Sequence, residues 1–212
     1  MNLAARMAQI EPFHVMELMA RAHALEAEGR SIVHLEVGEP DFATADPILE
    51  AAQRFLSIGH VHYTAALGLR PLRETISDYY DSRYGLRISP ERIVVTAGAS
   101  GALLLALGVL INPGDECLLP DPGYPCNRHF VRMFEGRPVA LPVGPDTDYQ
   151  PSAQQVDLAW SGRTKGLMLA SPANPTGTLL GNETLTSLAA TVARRNGTLL
   201  VSAANDLSPS LV

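Results

Sequence analysis

The sequence has little charge and no long hydrophobic run. Charged residues make up 18% of the 212 residues, whereas about 25% is usual in globular domains. We therefore expect part of the surface to be covered by a partner or by further chain. The net charge of -6 argues against a basic face of the kind that binds nucleic acid or anionic lipid. Because no stretch approaches about 20 apolar residues, we predict no transmembrane helix and no membrane partner.

Cysteine is scarce as well. The chain has two cysteines, Cys117 and Cys126, too few for a disulfide framework or a cysteine-based metal site, which favours a reducing, cytoplasmic location. His60, His62 and His129 lack carboxylate or cysteine partners at the spacing of metal ligands. We therefore predict no metal site.

Helix and strand patterns alternate along the chain. Apolar periodicity with proline or glycine at segment ends predicts helices at residues 12–28, 46–58, 71–83, 100–110, 127–134, 152–160 and 183–195. Apolar runs predict strands at residues 31–37, 93–95, 116–119, 138–141, 166–170 and 198–201. Several of these runs are continuously apolar, which is typical of a parallel sheet covered by helices on both faces. In such sheets ligands bind beyond the carboxyl ends of the strands, so the loops after Val95, Leu119 and Ala170 are the candidate sites.

The first candidate loop, residues 96–101 (TAGASG), joins a predicted strand to a predicted helix. Small residues let the N–H groups of a helix start approach an anion, and Ser100 adds a hydroxyl, so the loop favours a phosphate group. A tight strand-to-helix turn would use the same small residues. The loop matches neither the glycine motif of dinucleotide-binding proteins nor the P-loop, so neither a dinucleotide nor ATP is predicted.

The other two loops are rich in proline. In residues 121–125 (DPGYP), proline and glycine hold Tyr124 in a defined place, either in an ordinary surface turn or as an aromatic face for a planar ligand. In residues 171–177 (SPANPTG), Asn174 lies between two rigid X-Pro junctions. Its amide can donate to a phenolate or carboxylate, and we interpret this loop as part of a binding site.

Six motifs occur in order along the chain: GEPDF (residues 38–42), YTAALG (63–68), TAGASG (96–101), PGDE (113–116), PGYP (122–125) and SPANPTG (171–177). Together they resemble the large domain of the class I and II aminotransferases, which are pyridoxal 5'-phosphate (PLP) enzymes of fold type I. The resemblance implies an incomplete α/β fold with three α/β/α layers and a mostly parallel sheet. It also implies the transfer of an amino group between an amino acid and a 2-oxo acid.

The resemblance implies a role for each matching residue of the cofactor site. Ala99, Ser100 and Gly101 would cradle the phosphate of PLP. Tyr124 would stack on the pyridine ring, and Asn174 would hydrogen-bond the 3'-oxygen.

Two further roles concern the substrate and a second subunit. Gly38 would line the site of the substrate carboxylate, and Tyr63 would reach the phosphate of the neighbouring subunit. The resemblance thus implies a homodimer. It divides the chain into residues 1–45, with the N-terminal helix, strand and substrate-site loop, residues 46–201, a partial PLP-binding large domain, and residues 202–212, a tail outside the family pattern.

The family pattern is lost after Val201. Family members continue with an Asp that pairs with the pyridine nitrogen, whereas this chain has Ala203 there and Asp206 three residues later. The Ser-x-x-Lys segment that supplies the Schiff-base lysine is absent, and the only lysine, Lys165, matches no family lysine. We therefore predict no catalytic lysine and transamination reduced by orders of magnitude. A frameshift that truncated the chain is our hypothesis for the tail.

Two alternatives remain beside an aminotransferase. One is a non-catalytic fragment, or a remnant that binds PLP or dimerises. The other keeps the fold and PLP but performs another reaction, as a C–S lyase, a decarboxylase or a cyclopropane-forming synthase. The residues that discriminate these enzymes lie mainly in the part of the family pattern that the chain lacks.

Overall fold

A computed structural model describes residues 2–38, 42–59 and 62–203. The chain divides into two compact units. Met1–Glu11 and Ala97–Val212 form one, here called the sheet unit, and Pro12–Thr96 forms the other, here called the helical unit. The domain limits expected from the sequence, after residues 45 and 201, stay a prediction.

The described residues of the helical unit contain three α-helices, which are α1 (His14–Ala27), α2 (Asp46–Ile58) and α3 (Arg70–Tyr84). Each helix was predicted within two residues at its start and end. The signals that delimit α3 act as expected, because Pro71 lies in its first turn and Gly85 ends it with a left-handed φ of 67°. In α2, Asp46 is the first helical residue and Pro47 follows it in the first turn.

Two predicted strands are absent, so those predictions are wrong. Residues 31–37 pair with no strand among the described residues. Residues 93–95 are not in a sheet either, although the backbone of Ile93 is extended. The Val95 N–H donates instead to the Leu67 carbonyl at 3.0 Å. An apolar run becomes a strand only when a neighbouring backbone offers a complementary row of donors and acceptors.

The sheet unit has an α/β fold, with four strands and four α-helices among its described residues. Its elements in chain order are α4 (Gly98–Leu110), β1 (Glu116–Asp121), α5 (Cys126–Met133), β2 (Arg137–Pro142), α6 (Ala153–Ala159), β3 (Thr164–Ala170), α7 (Asn182–Arg194) and β4 (Thr198–Ser202). All three strand pairs are parallel, and the strand order is β2-β1-β3-β4. The predicted parallel sheet is confirmed.

One face of the sheet packs on α6 and α7. Leu118 of β1 and Leu167 of β3 point to this face, where they pack with Val156, Leu188 and Val192 of the two helices. All five are almost completely buried. Complete burial of one such side chain contributes roughly 1.5–3 kcal/mol to folding.

The opposite face packs on α4 and α5. Cys117 of β1 and Met168 of β3, each adjacent in sequence to a residue of the other face, lie here with Leu107 of α4 and Val131 of α5. Successive residues of a strand alternate between faces, so these continuously apolar strands fill two cores. The helices on both faces confirm the predicted three-layer arrangement.

The amino end of β3 contains a bulge. Glu116 pairs with Thr164 and Cys117 pairs with Gly166, so Lys165 is the extra residue. The Lys165 Nζ lies 3.7 Å from Asp115 Oδ1, and its side chain is 44% exposed. The sole lysine of the chain is therefore at the amino end of the sheet.

None of the helices within the described ranges is long and apolar enough to cross a membrane.

Candidate functional site

A cavity of about 180 Å³ lies in the sheet unit, where β1 and β3 reach their carboxyl ends. Its wall includes Leu119 and Asp121 of β1, Ala140 of β2 and Ala170 of β3. Residues of the loops that follow β1 and β3 also line it. Two of the three predicted loops, those after Leu119 and Ala170, therefore meet at this end of the parallel strands, whereas no residue of the loop after Val95 lines the cavity.

The loop after β1 brings Tyr124 into the cavity wall. Gly123 makes this turn possible, because a Cβ atom there would lie 2.6 Å from the Pro120 carbonyl oxygen. The Asn127 N–H donates to the Tyr124 carbonyl at 3.1 Å, which joins the loop to α5. Tyr124 is thus fixed between the end of a strand and the start of a helix.

The phenol of Tyr124 stays protonated near neutral pH. A side-chain hydrogen bond with Cys126, together with burial, raises the pKa of Tyr124 to about 12. The ring therefore offers an aromatic face and a neutral hydroxyl rather than a base.

The loop after β3 brings Asn174 to the same cavity. Hydrogen bonds hold both ends of this loop: the Ala173 N–H donates to the Thr178 carbonyl at 2.8 Å, and the Ser171 N–H donates to the Ser202 carbonyl of β4 at 3.0 Å. The Ser171 hydroxyl accepts from the Leu180 N–H at 3.0 Å. The peptide bonds Asp121-Pro122, Ser171-Pro172 and Asn174-Pro175 are cis.

Gln150 anchors both ends of the loop that contains Asn174. Its buried side chain lines the cavity, and its Nε2 donates to the Thr178 carbonyl at 3.2 Å and the Ala170 carbonyl at 3.5 Å. Sequence reasoning missed Gln150, because its partners lie 20 to 28 residues away. A glutamine next to a proline gives no local signal of such a role.

Polar groups of α5 complete the wall. Asn127 lines the cavity, and its buried side-chain oxygen has no hydrogen-bond partner among the described residues. Arg128 also lines the cavity and donates to Asp121 Oδ1 at 3.4 Å. Sequence reasoning missed these two side chains as well, since both were assigned only to a helix. The cavity thus combines an aromatic face with amide and guanidinium groups and one unsatisfied buried acceptor.

The predicted phosphate cradle lies in the first turn of α4. Ala99 and Ser100 are exposed there, and Gly101 is partly buried. None of the three belongs to the cavity wall that contains Tyr124 and Asn174. They stand at a helix N-terminus as expected, with N–H groups that a helix cannot pair internally.

Gly38 and Tyr63 belong to the helical unit, and both are exposed. Residues 39–41 of the GEPDF motif lie outside the described residues, as do His60 and Asp206. The predicted roles of Gly38 and Tyr63 stay predictions.

Residues 30–204 match the model of the family described as aminotransferase class I and II. The chain belongs to this family. The family identified from the six motifs is thereby confirmed.

Two curated relatives show the extent of the match. The (5-formylfuran-3-yl)methyl phosphate transaminase of Methanocaldococcus jannaschii is 38% identical over 181 residues, which cover 85% of this chain and 47% of the relative. The valine–pyruvate aminotransferase of Mycobacterium tuberculosis is 35% identical over 182 residues, which cover 86% of this chain and 47% of the relative. The chain spans about half the length of the curated relatives it matches.

Solved aminotransferase structures share the fold. An aminotransferase from Mycobacterium tuberculosis superposes with a TM-score of 0.89 at 33% identity, over 95% of this chain and 51% of the other. The aspartate aminotransferase from Thermus thermophilus with maleate gives a TM-score of 0.91 at 30% identity, over 99% of this chain and 57% of the other. The predicted fold class, that of fold type I aminotransferases, is confirmed.

Proposed function

We propose that this chain forms the cofactor-binding part of a PLP-dependent aminotransferase, acting on an amino acid and a 2-oxo acid. The cavity that joins Tyr124 and Asn174 at the carboxyl ends of β1 and β3 carries this proposal. The two relatives described above are a transaminase and an aminotransferase by name. Their names favour amino-group transfer over the lyase, decarboxylase and synthase alternatives.

The residues around the cavity fit the polar, planar shape of PLP. Tyr124 offers an aromatic face to the ring, and the Asn174 amide can donate to the 3'-oxygen. Asn127 supplies a buried oxygen that has no protein partner among the described residues, so a polar ligand group or water would satisfy it. The N–H groups of Ala99, Ser100 and Gly101 at the start of α4 suit the phosphate.

PLP, when bound, acts as the electron sink of amino-group transfer. This chain's own residues would bind and orient PLP, but they supply no lysine amine to form the Schiff base. Lys165 is five residues before Ala170 along β3, a separation of about 16 Å at the rise of a strand, and its Nζ is near Asp115. We infer that a polypeptide of these 212 residues binds PLP without transaminating.

We also propose that the complete site requires a homodimer. Tyr63 is fully exposed, and the apolar side chains of α2, including Ile48, Phe55 and Leu56, are more than half exposed. Exposed apolar residues clustered on one helix are typical of surfaces that a partner covers. We also propose a cytoplasmic location, which the scarcity of cysteine favours.

Equilibrium dialysis against PLP tests the cofactor proposal. We expect the intact chain to bind PLP and Asn174→Ala to bind it about 10- to 100-fold more weakly, because a hydrogen bond to a charged oxygen is lost. Asn182→Ala, which removes an exposed asparagine outside the cavity, should bind as the unaltered chain does. After borohydride reduction, intact mass spectrometry should show no stoichiometric pyridoxyl group, because the exposed Lys165 and the α-amino group would react with PLP only as free amines do.

Each contrary result has a distinct meaning. If the chain takes up no PLP, the proposed cofactor is wrong. If the Asn174→Ala and Asn182→Ala variants bind PLP with equal affinity, PLP binds somewhere other than this cavity. A pyridoxyl group at Lys165, combined with amino-group transfer from an amino acid to a 2-oxo acid, would overturn the inference of inactivity.

A further inference from the structure

A group of metal-ligating side chains lies in the helical unit, among residues that the cofactor proposal does not use. It consists of His23, Glu26 and His34, and one ligand atom from each lies within 4.8 Å of the other two. His23 and Glu26 are three residues apart on α1, so they share a face of the helix. The chain turns at Gly29, whose φ is +85°, and His34 then returns to that face.

The distances are close to those of a coordinated ion. The His34 Nε2 lies 2.9 Å from Glu26 Oε1, and the rings of His23 and His34 are 5.5 Å apart between centroids. In a tetrahedral zinc site, bonds of about 2.0–2.2 Å place neighbouring ligand atoms about 3.3 Å apart. The Glu26 and His34 atoms are slightly closer than that and would separate a little to admit an ion. Because all three ligand atoms lie within 4.8 Å of one another, His23 would have to move by no more than roughly 1.5 Å, and an exposed imidazole rotates readily about its χ angles.

A second carboxylate orients His34 from the other side. Glu36 Oε1 lies 2.6 Å from His34 Nδ1, and Glu36 Oε2 accepts from the Leu35 N–H at 2.9 Å. The Glu36 side chain is only 13% exposed, so it is well fixed. In this structure Nε2 lies at hydrogen-bond distance from Glu26 Oε1, to which its N–H donates. With Nδ1 held by Glu36, an ion that displaces the Nε2 proton would meet a lone pair directed towards Glu26 and His23. Metal-binding histidines commonly have this carboxylate partner on the second ring nitrogen.

We propose that His23, Glu26 and His34 bind one divalent transition-metal ion, with Zn²⁺ as the preferred ion. Two imidazoles and one carboxylate suit Zn²⁺ rather than Mg²⁺ or Ca²⁺, which prefer oxygen ligands alone. Three protein ligands at an exposed position leave the fourth to water. The sequence predicted no metal site, because the histidines it considered were His60, His62 and His129. His34 joins the other two ligands only through the turn after α1.

Isothermal titration of the intact, tag-free chain with zinc chloride tests the proposal. We expect one Zn²⁺ per chain at this site, and His34→Ala should weaken its binding by at least about 10-fold. Glu36→Gln should weaken it by roughly 10- to 100-fold without removing a ligand. That effect separates a metal site from a simple ion pair, because Glu36 contacts His34 and the Leu35 N–H but would not contact the ion.

A matched control is available on the same helix. His14 Nδ1 lies 2.9 Å from Glu17 Oε2 on the exposed surface of α1, an equivalent histidine–glutamate pair, so His14→Ala should leave zinc affinity unchanged. Cys126→Ser should also leave it unchanged, which excludes thiol binding. The proposal is wrong if the chain binds no zinc, or if His34→Ala binds it as tightly as His14→Ala does.

Discussion

Glu116 at the start of β1 is a nearly buried carboxylate with several donors around it. The Ser161 hydroxyl donates to its Oε2 at 2.5 Å, and Arg163 Nη2 donates to its Oε1 at 3.1 Å. The hydrogen bond from Ser161, followed by that from Arg163, lowers the pKa of Glu116 below its usual value, although burial acts in the opposite direction. This carboxylate therefore links β1 to the turn before β3 in its charged form.

Glu116→Gln should lower the free energy of unfolding of the sheet unit by about 1–3 kcal/mol at pH 7. The carboxylate's contribution is fully present above the unfolded-state pKa of about 4.3 and is lost as the pH falls through the lower folded-state pKa. The difference between the two proteins should therefore shrink as the pH falls below about 4. Fluorescence of Trp160, the only tryptophan and a neighbour of the core, measures this transition. The same difference at pH 7 and in acid would contradict this account.

At the scale of the element, the bulge in β3 depends on a close approach between strands. Gly166 follows the bulge and pairs with Thr198 of β4. A Cβ atom at Gly166 would lie 2.7 Å from the Thr198 carbonyl oxygen, closer than van der Waals contact allows. The paired backbones leave no room for a side chain at this position.

Gly166→Ala should destabilise the sheet unit by roughly 1–3 kcal/mol, because β3 and β4 must move apart. Gly162→Ala is the control, since a Cβ atom there meets nothing within 4 Å, and its effect should stay within about 0.5 kcal/mol. Urea unfolding followed by Trp160 fluorescence gives both values. Equal stabilities of the two variants would show that β4 can move away from β3 without lowering the free energy of unfolding.

Local signals predicted most elements because they act within a few residues. Pro71 and Gly85 delimit α3, and the apolar runs of β1 and β3 indicated buried parallel strands. The run at 93–95 failed because its sequence cannot reveal whether another strand lies beside it. Burial among the described residues confirms this difference, since Val94 is half exposed while Leu167 is fully buried.

The candidate site divides in the same way. Tyr124 and Asn174 could be found because their loops carry unusual proline and glycine patterns after predicted strands. Gln150 and Asn127 could not, because their contribution arises from contacts across the fold. The group of His23, Glu26 and His34 was missed for a related reason. His23 and Glu26 are close in sequence, but His34 reaches them only because the chain turns between α1 and His34.

At the scale of the whole molecule, burial is uneven. The almost completely buried apolar residues described above all lie in the sheet unit, whereas Arg73 is the sole buried residue among those described in Pro12–Thr96. Leu35 and Val33 of the helical unit are more than 80% exposed. The low charge content of the sequence led us to expect surfaces covered by a partner or further chain, and these exposed apolar side chains fit that expectation.

Hydrogen exchange should therefore differ strongly between the units. In samples dilute enough to be monomeric, amides of α2, which has no buried residue, should exchange orders of magnitude faster than those of β3, because local opening costs less where little apolar surface is buried. Exchange followed by mass spectrometry of the intact chain and its peptides measures both segments. Similar protection in α2 and β3 would mean that something covers the apolar side of α2 in solution.

The position of Lys165 has a practical consequence for studying this protein. Beside the α-amino group, it is the only primary amine in the chain, and its side chain is 44% exposed. An amine-reactive dye would therefore label one internal position without mutagenesis. Both the Lys165 backbone and the Trp160 ring lie against Gly197, so the dye would act as an energy acceptor close to the natural fluorophore. Energy transfer from Trp160 to the dye would then report the assembly of β3 and β4. The dye would lie at the amino ends of the strands, away from the cavity at their carboxyl ends.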